Sequence, residues 1–141
     1  MNGELLISEL GRAIGIDLKL SDAGTCGVFF DDDEVLFESH EGKLYLIADL
    51  GSAAGREDAY GRLLSADYLG HESGHAVIGL DENRGEFTLH RILEGDMDYP
   101  EFEKILTLFV KAVRYWKEWL SIPPAQETND GPAFNGGEMM A

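Results

Sequence analysis

Hydrophobic residues near the amino terminus recur with the period of an α-helix. The residues that recur at helical spacing are Leu5, Leu6, Ile7, Leu10, Ala13 and Ile14. Gly15 follows them, and glycine readily adopts the left-handed conformation with which many helices end. The pattern predicts a first helix over about residues 3–15. Gly11 inside it costs roughly 1 kcal/mol relative to alanine, which indicates that another segment approaches closely.

Between residues 25 and 50 the period shortens, and β-branched and aromatic residues become frequent. Three such runs cover residues 26–30, 35–37 and 44–48. Runs of this kind are typical of strands, and acidic or glycine-bearing turns between them join antiparallel neighbours as hairpins. The segment therefore predicts a three-stranded antiparallel meander.

The remaining sequence predicts a helix, a second hairpin and a final helix. Helical spacing covers about residues 56–69 and ends at Gly70. Strand-like runs at 76–80 and 87–93 flank a turn-forming segment, and a long helix covers about residues 98–120. Together the elements predict an α+β fold in the order αβββαββα, in which an antiparallel twisted sheet packs with helices.

The final predicted helix is apolar on two sides. One side carries Phe102, Ile105, Leu106, Phe109, Val113, Trp116 and Leu120, and the other carries Leu108, Ala112, Tyr115 and Trp119. Because only a narrow polar stripe remains, the helix is expected to be covered on more than one side. A sheet accounts for one side; a second chain or ordinary core burial accounts for the other.

Apolar residues become sparse after Ile122. Such a segment has little to bury, so residues 122–141 are predicted to form a disordered tail. A chain of 141 residues has room for one hydrophobic core. Residues 1–121 are therefore expected to form a single domain.

Charge and cysteine content narrow the possible partners. With 27 acidic and 11 basic residues the chain has a formal net charge of −16, which repels phosphate backbones and anionic lipids. Neither nucleic acid nor a membrane is expected as a partner. The single cysteine, Cys26, cannot form an internal disulfide, and no basic leader or apolar run of about 20 residues is present. These features predict a cytoplasmic protein.

The segment His71-Glu72-Ser73-Gly74-His75 matches the zinc-peptidase pattern HExxH. The pattern works on a helix, where both histidines bind zinc from one face and the glutamate activates water. Glycines bracket this segment and a strand-like run follows it, so we interpret it as a loop. A strand would hold the two imidazoles about 13 Å apart, too far for one metal ion.

A zinc site would also need a third ligand. The candidates His90, Glu94, Asp96 and Asp98 complete no known signature of such sites. A zinc metallopeptidase acting through His71, Glu72 and His75 is therefore kept only as an alternative hypothesis. No catalytic or metal-binding residue is assigned, and no cofactor is expected.

The element order and several motifs together resemble the class I type III secretion chaperones, the family that includes the Tir chaperone. The motifs are Leu10-Gly-Arg-Ala-Ile-Gly, Leu44-Tyr-Leu-Ile-Ala-Asp-Leu-Gly, Leu63-Leu-Ser-Ala-Asp-Tyr-Leu-Gly and Leu89-His-Arg-Ile-Leu. In that family a glycine-rich loop precedes a Gly-Leu-Asp hairpin, and here the HESGH segment followed by Gly79-Leu80-Asp81 occupies this place. The resemblance extends from about Leu5 to Leu120.

The resemblance implies a homodimer that binds protein and carries out no catalysis. Its partner would be the N-terminal segment of a secreted effector, held in a soluble form that is competent for secretion. The residues expected at the dimer interface are Leu64, Tyr68, Val77 and Ile78. The residues expected to bind cargo are Leu5, Ile7, Phe29, Leu36, Tyr45 and Ile47.

Two alternatives to this assignment stay open. Strand alternation does not say which face meets the core, so all six cargo residues could be core residues. The fold could also serve an orphan protein-binding domain with a partner that is not secreted.

Overall fold

The structure, a computed structural model, describes residues 1–122. Residues 123–141, which make up nearly all of the predicted tail, lie outside the described residues. Helices and strands follow one another in the order αβββαββα, so the predicted fold class is confirmed.

Helix α1 spans Gly3–Ile14 and ends at Gly15, whose φ of 82° is left-handed. The close approach predicted at Gly11 is made by the chain that leaves this helix. A β-carbon at Gly11 would lie 2.6 Å from the carbonyl oxygen of Ile16. Glycine therefore lets the exit segment fold back along α1.

Five strands form one antiparallel sheet: β1 (Thr25–Phe30), β2 (Asp33–His40), β3 (Lys43–Ser52), β4 (Val77–Asp81) and β5 (Glu86–Glu94). Their order across the sheet is β1-β2-β3-β5-β4. The predicted meander supplies the first three strands and the predicted hairpin the other two. A bulge in β3 between Asp49 and Gly51 shifts its register with β5.

Helix α2 spans Tyr60–Asp67 and is shorter than the predicted helix. A 3₁₀ turn over Glu57–Ala59 precedes it, and a second over Tyr68–Gly70 follows it. The prediction of one continuous helix over 56–69 is wrong at its end. Leu69 has a left-handed φ of 56°, which an α-helix does not accommodate.

Helix α3 spans Tyr99–Leu120, as predicted. The Asp98 side chain caps it by accepting a hydrogen bond from the backbone N–H of Glu101. Phe102 and Trp116 on its inner side are fully buried. Although α3 has 22 residues, no helix within residues 1–122 is long and apolar enough to cross a membrane.

The segment that follows α2 packs against α3 at Trp116 on the inner side and near Ala112 on the second apolar side. The indole N–H of Trp116 donates to the carbonyl oxygen of Glu72 at 2.7 Å. A β-carbon at Gly74 would lie 2.8 Å from the carbonyl oxygen of Leu108, so segment and helix nearly touch through their backbones. The second apolar side of α3 is thus covered only in part, and the side chains of Leu108 and Tyr115 stay exposed.

The sheet has one covered face and one open face, because side chains alternate along each strand. In β3, Leu44, Leu46 and Ala48 are buried on the side of α1 and α3, whereas Tyr45 and Ile47 point the other way and are half-buried. No element within residues 1–122 packs over that second face. The described residues therefore leave this face open.

Candidate functional site

An apolar patch crosses four strands on the open face of the sheet. We call it the open-face patch; its members are Phe29, Leu36, Tyr45, Ile47 and Ile92. Strand pairing sets Leu36 beside Ile47 and Tyr45 beside Ile92. The Phe29 side chain is 65% exposed, and the others are half-buried or exposed. Contiguous apolar patches of this kind mark interaction surfaces.

Four of the six residues predicted to bind cargo lie in the open-face patch, namely Phe29, Leu36, Tyr45 and Ile47. Their core burial, the alternative interpretation from the sequence, is excluded for Phe29 and Leu36 by their exposure. Leu5 lies apart from the patch, on the exposed side of α1. Whether these residues contact cargo stays a prediction.

Ile7 is the exception among the six. Its side chain is 0% exposed and belongs to the core, whereas Leu5 is 53% exposed. Positions two apart on a helix point in nearly opposite directions, so Leu5 and Ile7 cannot both face outward. The predicted cargo contact at Ile7 is wrong, because the protein's own core already surrounds this side chain.

Ile92 was missed by the sequence reasoning. Leu89 and Leu93 of the same strand are buried, and Ile92 lies on the other face with 42% of its surface exposed. The period of two in a strand was the available signal, since 89, 91 and 93 share one face and 90 and 92 the other.

The two edges of the sheet differ in how open they are. Edge strand β4 runs beside α2, and the backbone N–H of Ile78 donates to Oδ1 of Asp67 at the end of that helix, at 2.8 Å. A side chain therefore occupies a position where an added strand would bond. Edge strands covered in this way resist further pairing.

Edge strand β1 borders no other strand in the described part of the chain except β2. Its ends are held: the Thr25 carbonyl accepts from the Ser21 N–H at 2.8 Å, and the Phe30 carbonyl accepts from Arg114 at 3.0 Å. The backbone between these ends is the exposed edge of the sheet. Such an edge is a template for an extended segment of another chain.

A second apolar surface, the α2–β4 groove, runs between α2 and β4. Its lining residues are Tyr60, Leu63, Leu64, Ile78, Leu80 and Phe87. The groove encloses about 210 Å³, less than the roughly 300–1,000 Å³ typical of small-molecule sites. It therefore suits side chains of another protein better than a free ligand.

The four residues predicted at a dimer interface lie at or beside this groove. Leu64 and Tyr68 are 70% and 68% exposed, and Leu69 next to them is 69% exposed. Ile78 lines the groove, whereas Val77 lies on the open face, where it pairs with His90. Exposed apolar side chains thus lie at the end of α2 and on both sides of β4.

The HESGH segment forms turns and not a helix. Gly74 and His75 both have left-handed φ values, 64° and 65°, so the two histidines do not share a helical face. Ser73 between them is fully buried and donates to the carbonyl oxygen of Ala76 at 2.6 Å. The geometry of an HExxH zinc site is therefore not present.

Glu72 is held in the same segment by an ion pair. Oε1 of Glu72 accepts a hydrogen bond from Arg62 at 2.6 Å, and this bond is the main cause that lowers the pKa of Glu72. A carboxylate with a lowered pKa is a weaker general base. Residues 1–122 hold no group of three His, Cys, Asp or Glu side chains placed to bind a metal ion. The zinc-peptidase hypothesis is not supported.

A profile of the Tir chaperone protein (CesT) family matches residues 5–117 of the chain. The match covers α1 to the last turns of α3, and so includes both apolar surfaces. The sequence matches no curated protein at a significant level.

Solved structures with the same fold include three protein complexes. The HopA1–SchA chaperone–effector complex has a TM-score of 0.70 at 19% identity over 82% of this chain and 93% of that one. The ExsC–ExsE complex has a TM-score of 0.71 at 22% identity over 84% and 92%. The Yersinia pestis type III secretion chaperone SycH, in complex with a fragment of YscM2, has a TM-score of 0.63 at 20% identity. The alignment covers 80% of this chain and 98% of that one. At these identities the likeness shows a shared fold.

Proposed function

The chain belongs to the Tir chaperone protein (CesT) family, and we propose that it is a type III secretion chaperone for the N-terminal segment of a secreted effector. The resemblance inferred from the sequence is thereby confirmed at the level of the family. The observation that carries the proposal is the open-face patch, an apolar surface that the protein's own described elements leave uncovered.

The cargo segment lies extended over the open-face patch and along the β1 edge. Side chains of the segment cover Phe29, Leu36 and Ile47, and its backbone pairs with the exposed stretch of β1. Backbone hydrogen bonds then provide affinity that is independent of sequence, while apolar contacts select the segment. Leu5, on the exposed side of α1, provides a separate apolar contact for the cargo. Held in this way, the aggregation-prone segment stays soluble and unfolded for export.

Two copies associate through the α2–β4 groove to form a homodimer. Leu64 and Tyr68 supply exposed apolar area at this surface, and Ile78 lines the groove. Val77 extends the contact onto the open-face side of β4. A twofold axis would bring the same groove of each copy together, as a symmetric dimer requires. The cargo surfaces stay outside this contact.

The protein acts by binding alone, as a cytoplasmic protein without catalytic activity. Binding is driven by the burial of apolar cargo surface, which contributes about 25 cal/mol of free energy per Å² buried. The HESGH segment serves the fold, because it closes over α3 through Trp116 and Gly74.

The decisive experiment is to isolate the partner and then to test whether it still binds after its N-terminal segment is deleted. Tagged protein is used to isolate partners from the native cell; the expected partner is a secreted protein that no longer binds once its N-terminal segment is deleted. The variant Leu36→Asp is expected to lose at least tenfold in affinity, because it places a charge in the open-face patch. Ile122→Asp, an equally exposed position at the end of α3, should bind as the wild type does.

Capture of a partner that is never secreted would instead favour the orphan binding domain on the same fold. Equal affinity of Leu36→Asp and wild type for the N-terminal segment would contradict the assignment of the open-face patch as the cargo surface.

A further inference from the structure

The open-face patch is bordered by carboxylates on both sides. Leu36 and Ile47 are paired across β2 and β3 at its centre. Two residues along these strands, about 6.6 Å away, lie Glu34 and Asp49 on one side and Glu38 on the other. Because residues two apart share a face, all three carboxylates lie on the open face with the apolar pair.

These carboxylates are not equally available to a partner. Asp49 accepts two hydrogen bonds from Arg84, at 2.9 and 2.8 Å, and Arg84 also bonds Asp81 at 2.8 Å. Within residues 1–122, Glu34 and Glu38 take part in no ion pair. The two free carboxylates thus stand on opposite sides of Leu36.

We propose that the cargo segment bound on the open-face patch intersperses apolar residues with lysine or arginine, and that Glu34 and Glu38 select it by charge. The inference rests on the proposed function, since it names the chemistry of the same partner.

Charge complementarity is the physical basis of this selection. Apolar side chains of the segment cover Leu36 and Ile47, and the long basic side chains lie along that surface while their charged ends reach the carboxylates. An acidic segment of equal hydrophobicity would meet like charges and be rejected. The net charge of −16 also draws a basic segment towards the protein before contact is made.

Synthetic peptides test the proposal on the full-length chain. One 12-residue peptide alternates leucine or valine with lysine, and its matched partner carries glutamine at every lysine position. Calorimetry at 50 mM salt is expected to show about tenfold tighter binding of the lysine peptide. The advantage should shrink at 300 mM salt, because screening weakens contacts between exposed charges.

Charge variants locate the effect. The double variant Glu34→Gln/Glu38→Gln is expected to remove the advantage of the lysine peptide and to leave binding of the glutamine peptide unchanged. The control Asp17→Asn/Asp22→Asn removes the same charge from the exposed connection between α1 and β1 and should keep the full advantage.

Equal affinity of the two peptides, or the same loss of advantage in both double variants, would overturn the inference. Failure of both peptides to bind at millimolar concentration would also overturn it. Two results would leave the proposed function standing in those cases: loss of glutamine-peptide binding on Leu36→Asp, and capture of a secreted partner through its N-terminal segment.

Discussion

Asp33 is a carboxylate at the start of β2 held between two cations of α3. Its side chain is 9% exposed and accepts hydrogen bonds from Arg114 at 2.7 Å and Lys117 at 2.9 Å. Partial burial acts to raise the pKa of Asp33, but the hydrogen bonds and charges of Lys117 and Arg114 outweigh it and lower that pKa below its usual value. The ionised carboxylate therefore stabilises the contact between sheet and helix.

Replacing Asp33 by asparagine is expected to lower the free energy of unfolding by about 1–2 kcal/mol at pH 7, because two charge-assisted hydrogen bonds are lost. Lys117 loses this carboxylate, while Arg114 keeps Asp31 and the carbonyl oxygen of Phe30. Because the pKa of Asp33 is lower in the folded than in the unfolded state, its ionised carboxylate stabilises the fold above the unfolded-state pKa of about 4. This stabilisation is lost as the pH falls through the folded-state pKa. The difference between wild type and Asp33→Asn should therefore shrink below about pH 4. Urea unfolding at pH 7 and pH 3, at one protein concentration, measures it.

The neighbouring variant Asp32→Asn provides the control for Asp33. Asp32 is exposed, so its replacement should change stability by less than about 0.5 kcal/mol. A difference between wild type and Asp33→Asn that is the same at both pH values would contradict the electrostatic explanation.

At the scale of single residues, the sequence indicated which apolar side chains share a face on the strands, but not which apolar side chains of α1 are exposed. Alternation placed Phe29, Leu36 and Ile47 together, although it could not say which face was covered. On α1 the three consecutive apolar residues Leu5, Leu6 and Ile7 are equally hydrophobic. Only the position of the sheet and α3 decides that Leu6 and Ile7 are buried while Leu5 is exposed, and that is tertiary information.

At the scale of elements, the contact between the HESGH segment and α3 depends on Gly74. Its φ of 64° is left-handed, and a β-carbon there would lie 2.8 Å from the carbonyl oxygen of Leu108. Gly55 provides a matched site with a φ of 71° and no atom within 4 Å of a β-carbon.

Both Gly74→Ala and Gly55→Ala carry the cost of a left-handed alanine, about 1–2 kcal/mol. Gly74→Ala should lose roughly 1–3 kcal/mol more, because the added methyl group forces the segment away from α3. Denaturant unfolding of the two variants gives the comparison. Equal losses would mean that the segment does not rest on the helix.

Periodicity predicted the order of helices and strands because each element buries one face. Helix α3 was predicted almost to the residue, since Asp98 and Pro100 mark its start and its apolar pattern is long. The end of α2 was not predictable, because left-handed Leu69 has no signature in the sequence. HESGH was correctly interpreted as a loop, yet its packing on α3 depends on residues more than thirty positions away.

At the scale of the whole molecule, the charge of −16 on each chain opposes the proposed dimer. A dimer of the 15.6 kDa chain joined by apolar contacts should therefore become tighter as salt rises from 10 to 300 mM, since the Debye length falls from about 30 Å to less than 10 Å. Light scattering across a dilution series measures this trend.

Leu64→Asp should give a monomer at every salt concentration, because it places a charge in the α2–β4 groove. Ile122→Asp has a similar charge change outside the groove and should remain dimeric. Weaker association at high salt would show instead that ion pairs hold the two copies together.

The hydrogen bond from Ile78 to Asp67 blocks strand addition at the β4 edge, so the sheet can add a strand only at its β1 edge. A sheet with two open edges can add copies of itself at either side without limit and so extend into a fibre. Here one side is closed by a carboxylate, and two copies that met through β1 would use up each other's open edge. Growth of the sheet by strand pairing therefore stops at two copies, and in the proposed function the β1 edge is left for the cargo segment.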